Sequence, residues 1–202
     1  DTPLTKKEKQ RTAVIVILTC FVVFFWAGFE QAGSSLTLYT NKFVDRSVFG
    51  WEIPTSWFQS VNPLFIILLA PVISALWAKL ATRKRGDLKI PTKMGLGMIL
   101  LGIGYIILVI ATLKTGSEHN ITEKANLLFI VFTYLFHTLG ELFLSPVGLS
   151  MVSALAPVKL ASLLMGVWLA SSGIANILGG QLASFTTSLG YAEVFTVIGA
   201  VA

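Results

Sequence analysis

The sequence predicts an all-α integral membrane protein, because it contains few charged residues and several long apolar stretches. Of the 202 residues, only 12% are charged and 54% are hydrophobic, and the mean hydropathy is +0.78. A soluble domain carries about 25% charged residues, so this chain has too little charge to cover a water-facing surface. The composition therefore excludes a soluble enzyme, a nucleic-acid-binding protein and a disordered tail.

Five apolar stretches are long enough to cross a bilayer, which takes about 20 mostly apolar residues. They cover residues 13–39, 54–80, 92–113, 125–148 and 159–185. A sixth begins near Tyr191 and stops at Ala202, which is too short to cross ~30 Å of hydrocarbon. We expect a polar cytoplasmic linker over residues 1–12, a transmembrane bundle over residues 13–202, and a chain that ends inside a span.

The charged residues between the stretches predict the orientation. The amino end, the connection after the second stretch and the connection after the fourth are basic, and the connections between them are neutral. Cytoplasmic loops carry the excess of Lys and Arg, so we expect the amino end in the cytoplasm. Lys93 lies at the end of a span, where a long side chain can extend to the interface. The short connections favour a bacterial inner membrane.

Two glutamates, Glu30 and Glu141, are the only charged residues well inside the stretches. Neither has a Lys or Arg at membrane depth in this chain, and an ionised carboxylate is costly there unless it is paired or hydrated. Three partners remain: a basic residue outside this chain, the ammonium of a substrate, or a proton. A proton-coupled carrier for a cationic or zwitterionic solute uses these three partners. The alternative is a pair of structural glutamates that only hydrogen-bond neighbouring helices.

Helical spacing brings further polar residues onto the same faces, since residues four apart are neighbours on a helix. Four of the five stretches carry such a face, and together the faces predict a wet central cavity with the third stretch facing lipid. Pro63 follows Asn62 and predicts a bend in the second span. The polar faces are Trp26, Glu30 and Ser34; Gln59 and Asn62; His137, Glu141 and Ser145; and Trp168, Ser172, Asn176, Gly180 and Ser184.

Each of these residues also has a structural interpretation. Trp26 could fill the core, His137 could be a hydrogen-bonded packing residue rather than a proton relay, and Asn62 could join two helices rather than contact a ligand. A stripe of small residues beside Trp168, over residues 171–183, predicts close helix packing. Trp168 itself could face the cavity.

No motif in the chain points to a catalytic residue, a cofactor or a metal. The glycines of GLGMILLGIGY (residues 95–105) lie inside an apolar stretch with no preceding strand, so we interpret them as packing positions rather than a phosphate-binding loop. Two His and one Cys form no ligand-spaced cluster. We therefore expect a non-enzymatic protein.

Four strings are similar to the carboxy-terminal half of the proton-dependent oligopeptide transporter family. They are FEQAGSSLTLYT (residues 29–40), WFQSVNPLFIILLAP (57–71), GELFLSPVGLSMVSALAP (140–157) and SLLMGVWLASSGIANILGG (162–180). The resemblance covers nearly the whole chain, as helices seven to eleven and the start of the twelfth. It implies the carboxy-terminal six-helix bundle of a major facilitator fold, truncated in its last helix.

The resemblance also implies roles for individual residues. Glu30 matches a glutamate linked to proton coupling and to a salt bridge with the amino-terminal half, and Glu141 matches the glutamate that holds the peptide amino terminus. Asn62 matches an asparagine that lines the peptide site, and the remaining three positions match residues around the same cavity: Trp26, Trp168 and Ser145.

The family's ExxER motif, its carboxylate-binding arginine and its lysine belong to the amino-terminal half. We therefore expect half of a proton-coupled symporter that imports di- and tripeptides by alternating access and is inactive without the missing half. The expected partners are the peptide, protons and the lipid bilayer, with no nucleic acid. Two alternatives remain: a major facilitator carrier for another solute, such as nitrate or a small metabolite, and a non-transporting membrane scaffold.

Overall fold

Five helical segments are long and apolar enough to cross a membrane in the computed structural model, which describes residues 3–84, 86–117 and 120–202. They are Lys6–Phe43, Thr55–Ala81, Ile90–Thr115, Leu127–Leu155 and Val158–Leu189. A shorter apolar helix, Tyr191–Val201, follows. The all-α membrane architecture and the five predicted spans are therefore confirmed.

The segments divide into eight α-helices, three 3-10 helices and two short hairpins within the described residues. In chain order the α-helices are α1 (Lys6–Phe29), α2 (Ser35–Phe43), α3 (Val61–Ala81), α4 (Ile90–Thr115), α5 (Leu127–Leu155), α6 (Ala161–Ser184), α7 (Thr186–Leu189) and α8 (Tyr191–Val201). The 3-10 helices are Glu30–Gly33, Thr55–Ser60 and Val158–Leu160. Strands β1 (Ser47–Val48) and β2 (Trp51–Glu52) pair, as do β3 (Gly116–Ser117) and β4 (Asn120–Ile121).

Helix α1 begins at Lys6, within the segment that we predict to be a linker. Thr5 caps it: its hydroxyl accepts a hydrogen bond from the Glu8 amide at 3.3 Å, and its own amide donates to Glu8 Oε2 at 2.7 Å. This reciprocal capping box satisfies two amides that the helix itself leaves unpaired. The polar residues 6–12 therefore form the first turns of the helix.

Pro63 lies beside a change of helix type in the second span. The second span opens as the 3-10 helix Thr55–Ser60, and α3 starts only at Val61. Pro63 thus lies in the first turn of α3, where the amide that proline lacks would have no intrahelical acceptor. The prolines inside helices are Pro71 in α3 and Pro146 in α5.

Glycines let α4 approach α5 closely. A Cβ on Gly97 would lie 2.8 Å from the Gly140 carbonyl oxygen, and a Cβ on Gly140 would lie 2.6 Å from the Gly97 carbonyl oxygen. The two backbones therefore touch at a point that no side chain could occupy. The interpretation of the α4 glycines as packing positions is confirmed for Gly97, Gly102 and Gly104, whereas a Cβ on Gly95 would meet no atom within 4 Å. The opposite face of α4 stays exposed at Ile99, Ile106 and Leu113, as we expect of a span that faces lipid.

The small-residue stripe of α6 packs against α1, as predicted. Ser171, Ala175 and Gly179 are buried, and a Cβ on Gly179 would lie 3.3 Å from the Ala27 carbonyl oxygen. The neighbouring polar stripe is largely exposed beyond Trp168. Close packing and the polar stripe therefore occupy different faces of α6.

The connections gather at the two ends of the bundle in the alternation that the charges predict. At one end the Ala125 amide donates to the Phe43 carbonyl at 2.7 Å and the Ala125 carbonyl accepts from the Asp45 amide at 2.9 Å, so the two neutral connections meet. At the other end Glu8 and Lys159 interact electrostatically. The basic amino end and the α5–α6 connection therefore share one side.

Candidate functional site

Glu30 lies at a break in the first span. Helix α1 ends at Phe29, and the 3-10 helix Glu30–Gly33 begins at Glu30. The backbone amide of Glu30 still donates to the Trp26 and Gly28 carbonyls of α1. Its carboxyl group is therefore at the carboxyl end of α1, where the helix dipole disfavours an anion. No described residue forms an ion pair with it.

Glu141 is held by a hydrogen bond from another helix. The side-chain amide of Asn62 on α3 donates to Glu141 Oε2 at 3.0 Å and to Thr138 Oγ1 at 3.0 Å. All three residues lie on facing sides of α3 and α5. Asn62 therefore joins two helices, which is one of the two interpretations that the sequence leaves open for it.

A cavity of about 200 Å³ lies between the 3-10 helix Glu30–Gly33, α3 and α5. Glu30 and Glu141 interact electrostatically across this region, and among the described residues that line the cavity there is no Lys or Arg. The site is thus a pocket with the carboxyl group of Glu30 in its lining and that of Glu141 held beside it by Asn62. Its lining is Phe29, Glu30, Ala32, Gly33, Gln59, Asn62, Tyr134 and His137.

His137 packs as a core residue. Only 2% of its surface is exposed, its ring centroid lies 4.9 Å from that of Tyr105, and Gly104 leaves room for it on α4. The Leu101 backbone on α4 is the nearest hydrogen-bond partner for the ring. However, neither Nδ1 nor Nε2 has a partner in hydrogen-bonding geometry among the described residues. It is a core packing residue, which is one of the two interpretations that the sequence leaves open.

Only Glu30 and Asn62 of the six predicted site residues line this cavity, and Glu141 adjoins it through its hydrogen bond from Asn62. Trp168 is buried against Gly148 of α5, where a Cβ would overlap the indole ring. Trp26 is half-buried and packs edge-on against the rings of Phe25 and Phe29, at centroid distances of 5.3 and 5.4 Å. Ser145 is half-buried one turn beyond Glu141 on α5. The structure therefore brings together Glu30, Asn62 and Glu141, and leaves the two tryptophans in aromatic and helix-packing contacts.

Gln31 positions the break in the first span, and sequence reasoning missed it. The residue is completely buried, and its amide donates to the Gly179 carbonyl at 2.9 Å and to the Ala27 carbonyl at 3.1 Å. Its side-chain oxygen accepts a hydrogen bond from Ser35. It thus fastens the segment next to Glu30 onto α6. A neutral glutamine inside an apolar stretch was the available signal.

Lys93 lies in the first turns of α4 and reaches the α3–α4 connection. It is 8% exposed, pairs with Asp87 of the α3–α4 connection, and its ammonium lies 4.3 Å above the Trp77 ring. The hydrogen bond from Lys93 lowers the pKa of Asp87 below its ordinary 3.8. These groups border a second cavity, of about 550 Å³, between α3, α4 and α5.

A family model described as the POT family matches residues 2–198 of the chain. The chain is 39% identical over 179 residues to a peptide transporter, YePEPT, of Yersinia enterocolitica subsp. palearctica. The aligned residues cover 89% of this chain and 34% of that protein. It is 33% identical to a dipeptide and tripeptide permease B of Edwardsiella piscicida, over 90% of the chain and 36% of that protein.

Solved structures show the same fold. A crystal structure of a POT family transporter in complex with a thioalcohol-conjugated peptide superposes with a TM-score of 0.88 at 31% identity, covering 100% of this chain and 40% of that one. A mutant peptide transporter POT in complex with alafosfalin gives a TM-score of 0.85 at 34% identity, covering 97% and 39%. The chain therefore spans about two-fifths or less of the length of the proteins that it matches.

Proposed function

Because the chain belongs to the POT family, we propose that it forms the carboxy-terminal half of a proton-coupled symporter for di- and tripeptides. The family is one of transporters, and the relatives reported above are named as peptide transporters and permeases. In this proposal the amino-terminal half supplies the counter-charges, and the chain does not transport without it. The observation that carries the proposal is the pocket lined by Glu30 and by Asn62, whose amide holds Glu141, with no basic residue among the described lining.

The first step of the argument concerns the substrate ammonium. A peptide at neutral pH carries an ammonium and a carboxylate, and it leaves water only for a site that pairs both. Asn62 occupies Oε2 of Glu141 and orients the carboxylate, while Oε1 remains available for a cationic group. We assign Glu141 the peptide amino terminus, and we assign the peptide carboxylate to basic residues of the amino-terminal half.

The second step concerns the proton. Glu30 lies where a helix dipole opposes its charge and where no described residue pairs with it, so it needs an external cation or a proton. Paired with a basic residue of the amino-terminal half, it would hold the two halves in one packing. Protonation of its carboxyl group would release that pair.

The third step links the proton to movement. A ligand shifts a conformational equilibrium only by its differential affinity for the two states. Glu30 takes up a proton when the site is open to the outside and releases it when the site is open to the inside. The protonated and deprotonated forms favour different arrangements of the two halves, which is what alternating access requires. Helix α1 ends next to Glu30, so the 3-10 helix Glu30–Gly33 can change its packing when the Glu30 carboxyl group changes protonation state.

The remaining assigned residues belong to the walls of the peptide site. We assign side-chain pockets to Trp26 and Trp168 and a cavity position to Ser145, next to Glu141 on α5. The exposed polar stripe of α6, which includes Ser172 and Asn176, faces away from the packing stripe and suits a surface that meets the amino-terminal half or the cavity.

For the membrane we propose a multi-pass cell-membrane protein, specifically of a bacterial inner membrane, with the amino end of this chain in the cytoplasm. The distribution of basic residues supports that orientation. The basic residues of the predicted linker 1–12 would then lie on the cytoplasmic side, with residues 6–12 in the first turns of α1.

Uptake of a radiolabelled dipeptide into proteoliposomes tests the proposal. The chain is reconstituted joined to the amino-terminal bundle, and separately alone, each with and without an inward proton gradient. We expect gradient-driven accumulation only in the joined form. Accumulation that ignores the gradient, or none in the joined form, would overturn it.

A further inference from the structure

Gln31 is a buried polar residue that joins the end of α1 to α6. The residue is completely buried, and its side-chain amide donates to the Gly179 carbonyl of α6 at 2.9 Å and to the Ala27 carbonyl of α1 at 3.1 Å. Its side-chain oxygen accepts a hydrogen bond from the hydroxyl of Ser35, the first residue of α2. One side chain therefore ties three helices together directly beside Glu30.

The end of α1 needs such contacts, because the last turn of a helix leaves carbonyl groups without an intrahelical partner. Gln31 supplies a donor to one of them, at Ala27. Tyr105 of α4, which is also completely buried, donates its hydroxyl to the next one, at Gly28. A buried carbonyl is costly without a donor. The two side chains therefore fix the place at which α1 ends, and with it the position of Glu30.

Helix α6 approaches this break through a glycine. A Cβ on Gly179 would lie 3.3 Å from the Gln31 side-chain nitrogen and 3.3 Å from the Ala27 carbonyl oxygen, which is tighter than ordinary van der Waals contact. It would lie 3.8 Å from Glu30 Cβ. A Cβ on Gly173, in the same helix, would meet no atom within 4 Å. A larger residue at Gly179 alone would therefore push α6 away from the Gln31 amide.

The hydrogen-bonding groups of Gln31 are all engaged within the fold. A glutamine side chain offers two donor hydrogens and one acceptor oxygen, and here the donors reach the two carbonyls while the oxygen accepts from Ser35. Gln31 is not among the described residues that line the cavity beside Glu30. Any effect of this side chain on transport must therefore act through the segment that it holds.

We propose that Gln31 is a positioning residue for Glu30 and that it carries changes at Glu30 to α6. Protonation shifts a conformational equilibrium only if the carboxyl group interacts differently in the two packings. While Gln31 is bonded to the Gly179 carbonyl, the segment around Glu30 and α6 move together, so a change of partner at Glu30 moves α6. Without that bond the carboxyl group can change its protonation state while α6 stays in place. This inference rests on the proposed role of Glu30 in coupling.

The test uses the chain joined to the amino-terminal bundle and one substitution on each side of the contact. Gln31→Met keeps the length of the side chain but removes its hydrogen bonds, and Gly179→Ala places a methyl group against the Gln31 amide. Gly173→Ala is the matched control, because it adds the same methyl group to α6 where no atom lies within 4 Å. The readouts are gradient-driven uptake, counterflow exchange and Kd for one labelled dipeptide in proteoliposomes.

We expect Gln31→Met and Gly179→Ala each to lower the ratio of gradient-driven uptake to counterflow exchange by about fivefold to tenfold, the change that one lost neutral hydrogen bond corresponds to. The dipeptide Kd should change little, because Asn62 and Glu141 lie on α3 and α5 and bond each other. A role limited to stability would lower uptake and exchange in proportion and leave their ratio unchanged. Gly173→Ala should alter none of the three readouts.

An unchanged ratio in either variant that still exchanges peptide would overturn the inference. Loss of exchange in both variants would also overturn it, because the contact would then hold the fold rather than position Glu30. An equal fall of the ratio in Gly173→Ala would do the same, since the effect would not depend on the contact with Gln31. Failure of the proposed function gives a different result: the unsubstituted protein itself would show no gradient-driven uptake.

Discussion

The side-chain amide of Asn62 donates a hydrogen bond of 3.0 Å to Glu141, across 79 positions of sequence and from α3 to α5. The same amide donates to Thr138 at 3.0 Å. One neutral residue thus orients the carboxylate that we assign to the peptide amino terminus, and it joins two helices that line the cavity.

Replacing Asn62 should weaken peptide binding. Asn62→Leu has a similar volume but removes the donor, and a hydrogen bond to a charged group is worth about 1.5–3 kcal/mol. We expect the dipeptide Kd of the joined transporter, measured by isothermal titration calorimetry, to rise roughly tenfold or more. Thr138→Val leaves the bond to Glu141 and should change Kd little. An unchanged Kd in Asn62→Leu would show that the carboxylate needs no such orientation.

Glu141→Ala should discriminate between two kinds of peptide. If Glu141 pairs with the amino terminus, the variant loses affinity for ordinary dipeptides by about tenfold or more, because an ion pair in a desolvated pocket is lost. An amino-blocked dipeptide has no ammonium to lose. Competition against a labelled peptide measures both, and an equal loss for the two peptides would remove the ammonium role.

Two glycines of α4 should respond differently to substitution by alanine, because Gly97 contacts α5 and Gly95 contacts no other helix. Gly97→Ala places a Cβ 2.8 Å from the Gly140 carbonyl oxygen, so the backbones must shift, and overpacking of this kind costs about 1–3 kcal/mol. Gly95→Ala, two residues earlier, meets no atom within 4 Å and should stabilise the helix slightly. Thermal unfolding in detergent compares them. Equal melting temperatures would contradict the close contact of α4 with α5.

The spans were predictable from the sequence because a bilayer imposes one requirement on every spanning helix: an uninterrupted apolar length. The placing of successive connections at opposite ends of the bundle was predictable because each span must cross the whole bilayer. Glu30 and Glu141 stood out because charge at membrane depth is costly wherever the helices pack. These inferences need no knowledge of which helix touches which.

The contacts inside the bundle were not predictable in the same way. The break at Glu30 depends on Gln31 reaching the Gly179 carbonyl of α6, a partner that only the packed fold provides. The 3-10 helix that precedes Val61 places Pro63 in the first turn of α3, and the sequence pattern does not show where one helix type gives way to the other. Lys93 finds Asp87 and Trp77 because the connection folds back over the end of α4, which periodicity does not encode.

The Asp87–Lys93 pair should make stability depend on acid pH. The pKa of Asp87 is lowered in the folded protein, so the pair stabilises the fold above the ordinary pKa of 3.8 and the stabilisation is lost as pH falls through the lowered value. Asp87→Asn should therefore lower the melting temperature at pH 7 and converge with the unsubstituted protein in acid.

A double-mutant cycle isolates that pair from other effects of acid. In a Lys93→Met background, Asp87→Asn should change the melting temperature little at either pH, because its partner is gone. If Asp87→Asn lowers the melting temperature as much with Lys93→Met as without it, the carboxylate stabilises the connection by some contact other than Lys93.

Glu30→Gln tests the coupling claim most directly. The substitution keeps the size and hydrogen-bonding capacity of the side chain but removes its titration, so the transporter can still move between packings while no longer linking that movement to a proton. In proteoliposomes of the chain joined to the amino-terminal bundle, we measure gradient-driven uptake and counterflow exchange of one labelled dipeptide. The account predicts that Glu30→Gln abolishes uptake and retains exchange. Loss of both activities together, or retention of gradient-driven uptake, would contradict it.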